Sequence, residues 1–286
     1  MDLVLNPKTE KLLGYFLANP GQSLLLQGPR GSGKSFIVKW LASNLLSCSD
    51  KLVITNPFFL LITPDEKKLI NIDKIRQINN FLSTKVPDNQ HSINRIVVID
   101  NADFMSLEAQ NALLKNLEEP PVNTLFLLTT SVSNKLLPTI KSRSPIIKII
   151  PPSRQDIQIY LQNKGLKSTD SDLAINISSG LSGLASEIAN NLDNHPLIQA
   201  ATITREILTT NQYQKLVKIN EIYKDKELLA NIFALMQQMA KLALEKADNQ
   251  QFNHWNNVLS HSYIAANQLN NHVNPKLILT ELMLNI

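Results

Sequence analysis

Residues 28–35, GPRGSGKS, set glycines, a lysine and a hydroxyl in the spacing G-x-x-x-x-G-K-[ST]. Gly28, Gly31 and Gly33 let the backbone curl around Ser32 so that successive N–H groups face inward. Such a curl makes an anion nest at the positive end of the helix that follows. Lys34 is placed to reach the β- and γ-phosphates of a nucleotide and Ser35 to ligate Mg²⁺. The expected ligand is ATP with Mg²⁺; the competing expectation is a loop that keeps its sequence and stays empty. Asp100 closes the apolar run RIVVI at 95–99. A carboxylate at the C-terminal edge of a sheet points into the same crevice as the loop, so Asp100 joins Ser35 as a magnesium residue whenever nucleotide is bound.

The elements that must position these residues are legible from periodicity. SLLLQ (23–27), FFLLI (58–62), RIVVI (95–99), TLFLLT (124–129) and IIKII (146–150) are short, almost wholly apolar runs, as parallel strands covered on both faces should be. Helical patterns lie between them. Ile37, Leu41 and Leu45 recur every four residues after the glycine-rich loop, and SLEAQNALLKNLEE (106–119) opens on a Ser106 cap with Leu113 and Leu117 on one stripe. Strand and helix in alternation predict an α/β three-layer sandwich with a parallel sheet over residues 1–150. Pro151 and Pro152 mark a boundary, followed by a small helical unit over 151–197 with a helix ending near Gly165. Residues 198–286 read as all-α; Leu229, Ile232, Phe233, Met236 and Met239 form a core stripe within 225–247, and Trp255 is expected in the core or at a subunit interface.

Bulk properties narrow the class without choosing a function. The 28 Lys and Arg residues barely exceed the 24 Asp and Glu, a net charge of +4, which permits contact with nucleic acid without requiring it. The single cysteine, Cys48, rules out an internal disulfide and a cysteine-cluster zinc site, so no zinc is expected. Its use as a small buried hydrophobe and the absence of a signal-like or membrane-length apolar stretch predict a soluble, cytoplasmic protein with no membrane partner.

The loop GPRGSGKS, the block VVIDNAD (97–103), the run SLEAQNALLKNLEEPP (106–121) and the segment KLLPTIKSRS (135–144) together resemble the AAA+ subunits of the bacterial DNA polymerase III clamp loader, and within them the delta-prime type. The segment at 56–78 is similar to that type as well. The resemblance implies an AAA+ P-loop domain, a helical lid and a helical collar that assembles sister subunits of the gamma/tau and delta types into an open ring. That ring loads a sliding clamp on primed DNA. It further implies that Arg143, in the triplet Ser142-Arg143-Ser144, is an arginine finger for ATP held by a neighbouring subunit, and that Thr130 is a first sensor of the γ-phosphate. Read from its residues alone, Arg143 equally fits a helix cap or a partner for a nearby acid.

Two departures from the family's ATPase pattern bear on activity. Asn101 stands where a motor carries glutamate; its amide can orient water but cannot accept a proton. Gly183, in GLSGLAS (180–186), stands where a motor carries a lid arginine. Together these imply a weakly hydrolysing or non-hydrolysing stator. The alternative is an active AAA+ ATPase of the gamma/tau type or a related DNA-remodelling motor, with Asp103 or another acid as base; a nucleotide-binding regulator outside replication is a third reading.

Overall fold

A computed structural model describes residues 4–66, 69–84, 93–192, 194–245 and 249–286. Lys67 and Lys68 of the 56–78 segment, and Lys246 and Ala247 at the end of the 225–247 segment, lie outside these residues. The chain divides into two compact units: Met1–Gly165 with Gly180–Ser186, and Leu166–Ser179 with Glu187–Ile286.

In the first unit the order is α1 (Pro7–Ala18), β1 (Ser23–Gln27), α2 (Lys34–Leu45), β2 (Phe59–Ile62), α3 (Ile72–Leu82), β3 (Arg95–Ile99), α4 (Leu107–Glu118), β4 (Thr124–Thr130), α5 (Pro138–Arg143), β5 (Ile146–Lys148) and α6 (Arg154–Asn163). The strands form one parallel sheet, in the order β2-β3-β4-β1-β5. Period-two alternation sorts its side chains. Leu24, Leu26, Ile96, Val98, Leu125 and Leu127 pack with Ile37 and Leu41 of α2. Leu25, Val97, Ile99, Phe126 and Leu128 pack on the other face with Ile75, Ile78, Leu113 and Ile140. Both faces are dry, which is why the strands read as unbroken apolar runs. The arrangement is an α/β three-layer sandwich, a parallel sheet between two helical layers.

Local chemistry sets the helix starts. Asn6 and Ser106 accept from the N–H of Lys8 and Ala109, and Ser153 with Asp156 forms a capping box just after the Pro151-Pro152 pair. The last strand is shorter than the 146–150 run: pairing stops at Lys148, ahead of those prolines.

The remaining helices are α7 (Ser168–Ile177), α8 (Ser182–Asn190), α9 (Pro196–Thr209), α10 (Gln212–Ile222), α11 (Lys226–Leu244), α12 (Asn249–Asn270) and α13 (Pro275–Asn285). In the second unit α11 packs against α9 and α12. Leu229, Ile232, Phe233 and Met236 of its stripe are fully buried, while Met239 is half-buried. Trp255 is also only half-buried, edge-on to His254 at 5.3 Å. It lies between polar neighbours on α12, so the core expected around it centres on α11 instead. Among the described residues no helix is long and apolar enough to cross a membrane.

Candidate functional site

The loop 28–33 joins β1 to α2 at the C-terminal edge of the sheet. Gly31 and Gly33 hold φ at 80° and 86°, a left-handed geometry that side chains resist, and between them the Ser32 N–H donates to the Pro29 carbonyl at 3.3 Å. Ser32 is buried, and its hydroxyl has no partner among the described residues. Lys34 is also buried: its ammonium donates to the carbonyls of Gly28 at 2.7 Å and Pro29 at 2.8 Å and to the Ser131 hydroxyl at 3.3 Å. Burial lowers its pKa; Asp100 and Asp103 oppose that shift, and Arg30 adds to it.

Alternation along β3 puts Asp100 on the α2 side of the sheet. Ser35, Lys39 and Asp100 line a cavity of about 130 Å³ against Phe59 and Val98. Asp100 accepts from the Thr129 hydroxyl at 2.6 Å and from the Asn101 amide at 3.1 Å. Asn101 sits at φ 53°, which asparagine tolerates better than most residues, and its side chain is turned onto Asp100. The set fits a magnesium nucleotide in kind: an inward-facing loop with an orphaned hydroxyl, a lysine, and Ser35 beside a carboxylate.

Thr130 ends β4 on the opposite face of the sheet from Thr129. It shares the face of Phe126 and Leu128, fully buried, and its hydroxyl donates to Asp103 at 3.0 Å and accepts from Val132 N–H. Asp103 also accepts from the N–H of Ser131. Ser131, which the sequence reading passed over, is the residue after β4 that reaches Lys34.

Gly183, in the first turn of α8, lies directly on the loop. A Cβ added there would stand 2.5 Å from Gly33 N, 2.6 Å from Gly33 Cα and 2.8 Å from Gly31 O. The Leu184 N–H donates to the Gly31 carbonyl at 2.9 Å. No side chain fits at position 183 in this arrangement, so an arginine there would require a different seating of α8.

Arg143 ends α5. One nitrogen of its guanidinium pairs with Glu118 at 2.7 Å, and another donates to the Thr139 carbonyl at 3.1 Å. Glu118 is the last residue of α4, where a carboxylate meets the negative end of the helix, and the arginine offsets that clash. The side chains remain 35% and 48% exposed, so the pair holds the arginine without sealing it. Both plain readings of Arg143, cap and acid partner, are therefore realised within the chain.

A second anchor was not legible in the sequence. Gln110, 4% exposed on α4, donates to the carbonyls of Met105 and Lys135 and accepts from Leu137 N–H at 2.8 Å. It ties α4 to the start of α5. Next to Arg143, the Ser144 hydroxyl is buried with no partner among the described residues. Ser144→Ala should therefore raise unfolding free energy by about 1 kcal/mol, measured by urea titration, because a desolvated hydroxyl is removed with little loss of packing.

Residues 17–153 match the family described as DNA polymerase III, delta subunit. The chain is 29% identical over 201 residues to DNA polymerase III subunit delta' of Escherichia coli K12, spanning 63% of this chain and 58% of that protein. It is 33% identical over 141 residues to the delta' subunit of Pseudomonas aeruginosa, spanning 44% and 42%. The chain thus spans about half the length of the curated relatives it matches. Among solved structures, a DNA polymerase III gamma subunit-related protein of Thermotoga maritima superposes with a TM-score of 0.56 at 21% identity, covering 96% of this chain and 97% of that one.

Proposed function

We propose that this chain, whose residues 17–153 match the family described as DNA polymerase III, delta subunit, is a delta-prime-like clamp-loader stator: a subunit that offers Arg143 to ATP held by a neighbour and hydrolyses little or none itself. In this reading residues 1–150 are the AAA+ domain, 151–197 a lid and 198–286 a collar packing against gamma/tau- and delta-type sisters, in a complex that loads a sliding clamp on primed DNA.

The observation that carries it is Asn101, an amide turned onto Asp100 at the chain's own site. Asp100 accepts from the Thr129 hydroxyl and the Asn101 amide, and one oxygen of Asp103 accepts from both the Thr130 hydroxyl and the Ser131 N–H. Position 101 carries an amide, which can orient a water but cannot accept its proton. Gly28, Gly31, Ser32, Gly33 and Lys34 would hold the phosphates of a nucleotide, with Ser35 and Asp100 on its Mg²⁺. That ion would neutralise phosphate charge. Nothing in this set activates a water.

Arg143 is suited to the opposite task. A guanidinium brings a planar fork of donors to phosphoryl oxygens, and its fixed charge stabilises the charge that develops on them. Glu118 and the Thr139 carbonyl narrow its rotamers beforehand, so less freedom is lost on engagement. The test is turnover. The isolated chain should hydrolyse ATP near background while raising hydrolysis when added to its ATPase partners; brisk hydrolysis by the isolated chain would end the reading.

A further inference from the structure

The seating of Gly183 bears on when the loop can take a ligand at all. Gly33 caps the start of α2 at the loop's end, and it is buried. The Gly183 backbone lies against its N and Cα, and the Leu184 N–H occupies the Gly31 carbonyl. On the other side of the contact, a Cβ at Gly31 would stand 2.9 Å from Leu184 Cβ. At Gly183 the two segments thus meet backbone to backbone, with glycine on both sides, while Gly31 faces the Leu184 and Leu181 side chains. Lys34 meanwhile donates to Gly28, Pro29 and Ser131, which leaves the ammonium turned into the loop.

A phosphate oxygen bonded to the Gly33 N–H needs about 2.9 Å of clear approach. We infer that the first turn of α8 and a nucleotide phosphate compete for the Gly31–Gly33 backbone, so that Gly183 acts as a self-inhibiting plug and binding requires α8 to lift. This rests on reading 28–35 as a nucleotide loop and is independent of Arg143. The plug works because position 183 lacks a side chain: any Cβ would meet backbone at under 3 Å. The same glycine that removes a positive contact to the ligand also lets the helix start close down on the loop.

The apparent affinity of a site that is open only part of the time falls by the open fraction. In the full chain, Gly183→Ala should tighten binding of Mg²⁺ with ADP by about tenfold or more, read by calorimetry, because alanine cannot sit in the closed contact. Alanine favours the helix itself, so α8 should persist as a helix while undocked. In the unsubstituted chain, saturating ADP with Mg²⁺ should speed hydrogen exchange at the Leu184 amide, whose bond to Gly31 must break. Equal affinity of the two proteins, no binding by either, or binding that leaves the Leu184 amide protected would each overturn the plug. None of these results would touch the stator reading, which is decided by turnover and by Arg143.

Discussion

Arg143→Ala, assembled with the ATPase partner subunits and primed DNA, is expected to lower ATP hydrolysis by about 10³-fold, the lower end of what an arginine finger supplies. The loss should fall on turnover, with complex assembly unchanged. Arg143 is more than a third exposed, and its pairing with Glu118 is of the partly exposed kind that contributes no more than about 1 kcal/mol to a fold. Arg143→Lys should recover only part of the rate, since a point charge replaces the fork that can bond two oxygens. Unchanged hydrolysis with the alanine variant would remove the stator mechanism, whatever the isolated chain does with nucleotide.

Gln110→Ala should cost the first unit about 3 kcal/mol of stability, measured by denaturant titration. Truncation strands the buried carbonyl of Met105, and with it the Lys135 carbonyl and the Leu137 N–H, and a desolvated group left unpaired costs about 1–3 kcal/mol. The same change frees the start of α5, the helix that carries Arg143, so stimulation of partner ATPases should fall even at temperatures where the variant remains folded. A cost below about 1 kcal/mol would mean that water replaces these bonds and that α5 is held by Ile140 and its packing alone.

Comparison of particular elements shows where sequence reasoning stops. The glycine-rich loop, the apolar strands and the Ser106 cap are encoded within a few residues of one another, and they appear where periodicity and capping chemistry place them. The resemblance implied Thr130 as a first sensor; in the fold its hydroxyl donates to Asp103. Alternation along TLFLLTT carries a signal here. If Leu125 and Leu127 share the α2 layer, Thr129 follows them, and Thr129 is the hydroxyl bonded to Asp100.

What the sequence by itself determined is a glycine-rich loop between a buried strand and an amphipathic helix, and an acidic strand end at Asp100. Each follows from spacing within one segment and from the backbone freedom of glycine. Only the tertiary structure decided that Gly183 rests on Gly33, that Glu118 holds Arg143, and that Gln110 fastens α5 to α4. Those partners come from separate segments with no shared period, and only the packing of helices on a common sheet brings them within bonding distance.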